Sequence, residues 1–424
     1  MSEPGDDDGW APLDPVQRPT DPPTVPPAGA PVGPPAQPPV QPLGPPERPG
    51  PHWQAYGGGY PGYPSQPGYS GYPGYPGYPP HGYGPPPVKR PWTVEAPKGA
   101  PFHRLARTEA HRWWRPLVGT LAIAGVGMVL ALALMLAGMI IQVAATGHTD
   151  TSGTSDTIFG DQTADLAYNL AALGLFLPVV LFAAWGVQRR RPGTLSSVAG
   201  RLRWRWLLAC CGLAFLFCLV SFGTSAIAGA FVDDTSTGDE HWVGWGDFLL
   251  PAVVIVFLVP VQSAAEEYMF RGWLLQAVGA HTLENSRRRI GQALSVVFRT
   301  PWPGIVIGSA LFTSGHGYTG WGILDIFTFG AVAAWLAVRT GGLESGIALH
   351  VFNNLMAFLL PAAVGELDIE QGGVAWQVVV ADVVPMLLYA AAVTWLARRM
   401  RVETVTGAKD DVPVSPPEHP ARVS

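Results

Sequence analysis

Three short patterns in the second half of the chain carry the residues best suited to chemistry. The first is Glu266-Glu267-x-x-x-Arg271, the second is Phe312-x-x-x-His316, and the third is His350-x-x-x-Asn354. Each interrupts or borders an apolar run, where a polar group is costly and usually functional. On a helix, residues four apart share a face. Glu267 and Arg271 can therefore pair, while Glu266 points about 100° away and stays available. A desolvated glutamate suits a general acid or base near neutral pH. Asparagine cannot titrate, so Asn354 fits a hydrogen-bond donor. Two histidines, a glutamate and an amide together offer a base, an oxyanion donor and metal ligands.

Each pattern alone has a plainer explanation. A single membrane histidine is more often a helix–helix hydrogen-bond partner, and a lone Glu–Arg pair can be a structural staple. Asp325 reads as a cap of its helix, and Asp382 as an isolated acid on the last apolar run. The case rests on three spaced patterns in order, within about 90 residues.

The elements that must position these groups are membrane helices. Of 424 residues, 48% are hydrophobic and only 13% charged. A polar tail dilutes that average, so the remainder is strongly apolar. Eight runs stand out: 117–143, 166–187, 207–231, 248–268, 305–318, 323–338, 343–364 and 376–397. Most approach the ~20 residues that cross a bilayer. The fifth and sixth are short, which fits a buried, tilted or re-entrant segment. The expected fold is an all-α polytopic membrane protein with about eight transmembrane helices. Its divisions are a disordered Pro/Gly/Tyr-rich tail over 1–100, a multi-span domain over 101–401 and a disordered tail over 402–424.

Arginines alternate with the runs. Arg104 to Arg115, Arg189 to Arg205, Arg287 to Arg299, Arg339 and Arg398 to Arg401 all fall in every second connection. Acids fill the others: Asp150, Asp156 and Asp161; Asp233, Asp234, Asp239 and Glu240; Glu366, Asp368 and Glu370. With eight spans every basic connection lies on one side. The positive-inside rule makes that side, and both termini, cytoplasmic. The first run is expected to act as an uncleaved anchor, since Met1 to Asp8 is acidic and no signal peptide opens the chain.

The tail repeats Gly-Tyr-Pro and lacks the aliphatic residues needed to offset ordering entropy. It reads as a solvated polyproline II spacer. Cys210, Cys211 and Cys218 share one apolar run and suit neither a disulfide framework nor a zinc site. The net charge of -5 says little about nucleic acid, since no basic domain stands out, and no nucleic-acid partner is expected. The expected partners are the bilayer and a peptide or membrane-anchored protein substrate.

The ordered motifs resemble the CPBP family, the CAAX proteases and bacteriocin-processing enzymes, over roughly 247–360. The similarity includes Phe270-Arg271-Gly272 and the lead-in "RTGGLESGIALHVFNN". That resemblance implies peptide-bond hydrolysis by a multi-span intramembrane endopeptidase. Carried over, Glu266 is the base and His316 helps hold the water. His350 and Asn354 form the oxyanion site, and Glu267 with Arg271 fixes the geometry. Metal dependence stays open. Glu266, His316 and His350 could present a zinc set, but there is no His-Glu-x-x-His helix. Glutamate and histidine suffice to activate water. A bacterial plasma membrane is expected, with a cavity opening at its cytoplasmic side. The alternative is a non-proteolytic scaffold or transporter-like binding protein using the same groups.

Overall fold

The computed structural model describes residues 91–147, 158–231, 241–284, 286–367 and 372–407. The Gly-Tyr-Pro tail, the C-terminal stretch 408–424 and most of the acidic connection residues lie outside them. The described chain is helical almost throughout. Its order is α1 (Trp114–Thr146), α2 (Gln162–Gly174), α3 (Phe176–Gly186), α4 (Trp204–Gly229), α5 (Trp245–Glu266), a π-helical stretch (Glu267–Leu274), α6 (Leu275–Gly279), α7 (Arg289–Phe298), α8 (Trp302–Ser314), α9 (Trp321–Thr340), α10 (Glu344–Ala363) and α11 (Trp376–Arg399). Two-residue strands β1 (Thr319–Gly320) and β2 (Gly373–Val374) pair in parallel.

Among the described residues seven helices are long and apolar enough to cross a membrane, and an eighth if the bent pair α7–α8 counts as one span. α2 with α3 makes one of the seven, and α5 with the π-stretch and α6 another. The protein is a multi-pass, mostly helical membrane protein. Large apolar side chains such as Leu121, Met128 and Ile140 on α1, and Leu208 and Leu219 on α4, stand exposed. In water such surfaces would aggregate; facing lipid they need no cover.

The short fifth run is α8, whose 13 residues cover only ~20 Å. α7 turns 75° away from it. α8 nonetheless connects opposite ends of the bundle. Before it, the Arg299 carbonyl accepts from Arg104; after it, β1 pairs with β2 beside the start of α11. α9, by contrast, extends the sixth run by two residues at each end and is of ordinary length.

Tertiary contacts sort the connections into two groups. At one end Val94 pairs with Arg189, Val198 with Gly341, Leu343 with Ser196, and Thr406 with Ala100. These are the arginine-bearing connections. Residues 402–407 belong there, packed along 97–101. At the other end Val243 bonds Ala363, and Thr319 bonds Gly372. Gly341 closes α9 in the left-handed region, φ 72°, and a Cβ there would lie 2.5 Å from the Glu403 carbonyl oxygen, so only glycine fits the turn.

The core that holds the site lies between α4, α8, α9, α10 and α11. Phe217, Phe312, Phe329, Leu336, Leu349, Met386 and Tyr389 fill it. The Tyr389 hydroxyl donates to the Ser345 carbonyl at 2.8 Å, tying α11 to the first turn of α10. The three cysteines are free thiols on α4, within or against this core.

Candidate active site

α5 carries Pro251 and Pro260 inside it, and proline removes a helix hydrogen bond. The helix then widens into the π-stretch from Glu267 to Leu274. Such widened turns recur at functional sites. Here the widening begins at the paired glutamates. Glu266 is 7% exposed and Glu267 is fully buried.

The Glu267 carboxylate is the hub. Its Oε1 lies 2.9 Å from Arg271 Nη1, as the spacing predicts. The same oxygen lies 2.9 Å from His350 Nδ1, across 83 residues of sequence. Its Oε2 lies against Gly346, one turn before His350: a Cβ at Gly346 would come within 2.6 Å of it. Arg271 in turn has its guanidinium carbon 4.3 Å from the centroid of the Phe312 ring, a favourable cation–π placement. Phe312 and Phe329 also meet His350 edge-on, at 5.9 and 5.1 Å between centroids. Phe312 thus shapes the site by covering charge.

Glu266 is not left without partners. Its Oε1 accepts from Gln262 Nε2 at 2.8 Å, and its Oε2 stands 3.5 Å from His350 Nε2. Gln262 also accepts from Asn354 Nδ2 at 3.2 Å. The result is a chain of contacts running Asn354, Gln262, Glu266, His350, Glu267 and Arg271. It fastens α10 to the end of α5. Gln262 was missed in the sequence, although it sits four residues before Glu266, at the same spacing as each motif pair.

His316 follows α8 and sits across the pocket. Its Nδ1 lies 2.8 Å from the Phe312 carbonyl. A carbonyl only accepts, so Nδ1 carries the proton and Nε2 of a neutral ring is the acceptor. By the same logic His350 Nδ1 donates to Glu267, leaving Nε2 as its working atom. The conditional zinc set is not gathered into one cluster. Among the described residues no group of three or more His, Cys, Asp or Glu is arranged to hold a metal ion.

One cavity of about 340 Å³ is lined by His316, His350, Asn354, Tyr318, Asp325 and Asp382, among others. It runs toward the end where α9 and α11 begin. The sequence position of Glu266 led to the opposite expectation, an opening at the arginine-rich end. The reason is packing: Leu195, Ser197, Leu343, Glu344 and Ser345 are fully buried over that end of the site. Tyr268 and Ser196 close it further with a 2.6 Å hydroxyl contact.

Asp325 is not a helix cap, and Asp382 is not alone. Gly320 precedes the first turn of α9, so Asp325 lies in its second turn. Its carboxyl is a hydrogen-bonding neighbour of Asp382 on α11. Their separation of 57 positions hid the pairing, because no local spacing signals it.

Residues 246–356 match the family described as type II CAAX prenyl endopeptidase Rce1-like. They form an Rce1-like domain. All six candidate residues, Glu266, Glu267, Arg271, His316, His350 and Asn354, fall inside it. The chain is also 26% identical over 203 residues to "Uncharacterized protein YyaK" of Bacillus subtilis (strain 168), covering 47% of this chain and 62% of that protein. No solved structure matches the chain. The Rce1-like domain takes in α5, α8, α9 and the first two-thirds of α10, the helices that build this chain of contacts and most of the cavity.

Proposed function

We propose that this chain is an intramembrane endopeptidase that hydrolyses a peptide bond in a membrane-associated peptide or protein. The observation that carries the reading is the shared Oε1 of Glu267. It binds Arg271 and His350 at once and sets His350 Nε2 beside Glu266. A staple needs only one such contact; this arrangement instead orients a titratable ring next to a second carboxylate.

Glu266 takes a proton from the attacking water, and His316 holds that water through its acceptor Nε2. Asn354 and a protonated Nε2 of His350 donate to the oxyanion that forms at the scissile carbonyl. The proton then passes to the departing amine as the C–N bond breaks. Asn354 Nδ2 carries two hydrogens, so one can stay on Gln262 while the other donates to the oxyanion. No step uses a metal ion, and the histidines keep these roles only if chelation is without effect.

The substrate enters through the cavity between α8, α9, α10 and α11. The membrane is a bacterial plasma membrane with both termini cytoplasmic, as the arginine-rich end implies. CAAX ends, to which the family name refers, are one substrate class; membrane-anchored bacterial peptides are the class this reading favours.

A second reading has its own support. The Asp325–Asp382 pair in the same cavity suits a protein that binds a cation or moves protons without cleavage. Purified protein in detergent, incubated with an anchored peptide library, separates the two. Cleavage by wild type that is lost in Glu266→Ala and resists chelator supports the hydrolase. Cleavage abolished by chelator as well makes it a zinc enzyme and reassigns both histidines. Absence of any product, with binding altered by Glu266→Ala, moves the second reading ahead.

A further inference from the structure

At the arginine-rich end, a separate cavity of about 460 Å³ lies between the start of α4 and the end of α11. Its lining includes Arg201, Arg203, Arg205, Arg401 and Trp206. None of its lining residues lines the cavity of His350 and Asn354.

The four arginines are not equivalent. Arg203 is fixed: its Nε and Nη2 reach the two Glu344 oxygens at 2.8 and 2.7 Å, and Nη1 donates to the Glu403 carbonyl at 2.9 Å. Arg201, Arg205 and Arg401 are exposed. Among the described residues none of these three forms an ion pair. Glu403 is the one acid in the lining, so positive charge is in excess. Arg401 reaches its position through a left-handed backbone, φ 51°, which a bulky residue adopts only where the surroundings impose it.

The setting distinguishes the kind of anion. α4 and α11 are both candidate membrane spans. Trp204 and Trp395 stand exposed at the same end, with the Arg399 guanidinium 5.5 Å from the Trp395 ring. Tryptophans at helix ends mark the headgroup level of a bilayer. Met400 and Val402 place apolar surface beside the arginines. A headgroup phosphate with its glycerol attached matches that mixed lining, and basic pockets between membrane helices recognise such groups.

We propose that this cavity is a binding site for the phosphate headgroup of an anionic phospholipid. Arg201, Arg205 and Arg401 meet the phosphate oxygens. Through Arg203 and Glu344 the site abuts the first turn of α10, the helix that carries His350.

The test uses the full chain purified in detergent, with lipid binding followed by native mass spectrometry. Phosphatidylglycerol should bind wild type, and phosphatidylcholine should not compete. The triple variant Arg201→Gln/Arg205→Gln/Arg401→Gln should weaken binding by about 100-fold, at roughly fivefold per arginine near anionic lipid. The double variant Arg398→Gln/Arg399→Gln lies outside the lining and should bind normally. An equal loss in that double variant would mean diffuse attraction and would overturn the site. Unchanged binding in the triple variant would do the same. Displacement of the lipid by inorganic phosphate alone would overturn the lipid assignment.

Discussion

Replacing Gly346 by alanine tests the hub of the site without touching a polar group. The added methyl would lie 2.6 Å from Glu267 Oε2 and 3.3 Å from its carboxyl carbon. To regain ordinary contact near 3.4 Å, the carboxylate must retreat by about 0.8 Å. Glu267 is fully buried, and its Oε1 is already held at 2.9 Å by both Arg271 and His350. A retreat of that size takes one of these contacts out of hydrogen-bonding range. A hydrogen bond to a charged group contributes ~1.5–3 kcal/mol, so kcat/KM should fall by about 10- to 150-fold. The assay is hydrolysis of an anchored peptide in detergent, with thermal unfolding as the check on folding. Shortening the acid should relieve the clash, so Gly346→Ala/Glu267→Asp should lose less than the two single changes combined. Activity of Gly346→Ala within about twofold of wild type, in a protein as stable as wild type, would refute the reasoning, because such a shift would then cost no transition-state stabilisation.

Other consequences follow from particular contacts. Arg203→Ala leaves the fully buried Glu344 carboxylate without its ion pair; loss of about 3–5 kcal/mol of stability is expected, read as a lowered unfolding midpoint. Asp382→Asn keeps a hydrogen bond to Asp325 and should leave the midpoint unchanged, whereas Asp382→Leu strands Asp325 in the cavity and should lower it. Burial, with Arg104 adding, holds the His103 imidazole down from 6.5 to about 4. The folded state therefore favours the neutral ring, so stability should be flat above about pH 6.5, fall as pH drops toward 4, and lose that slope in His103→Leu, as thermal scans across pH would report. Glu267→Gln keeps the shape of the hub but removes its charge, and should lower kcat with little change in KM in the same hydrolysis assay.

The candidate residues were legible because each motif pair repeats the helix period. Glu267 and Arg271 pair as their spacing requires, even with the intervening turn widened. The alternation of basic and acidic connections was equally plain, and the described connections do separate to opposite ends of the bundle. Gln262 could have been found by extending the same four-residue step backward from Glu266. Gly346 could not, since a glycine gives no sign of what lies against it. The Asp325–Asp382 pair joins two helices whose faces carry no complementary pattern.

What the sequence determined by itself was therefore local: helix-forming apolar runs, which end of each run is charged, and which neighbours on one helix share a face. These follow from covalent geometry and from the cost of charge in lipid, and act over a few residues. Only the tertiary structure decided that His350 meets Glu267, that Glu266 is engaged by Gln262, and that the cavity runs away from the arginine-rich end. Those outcomes depend on how α5, α8, α9, α10 and α11 pack. Packing between helices is set by side-chain shape summed over many contacts, which no single spacing along the chain records.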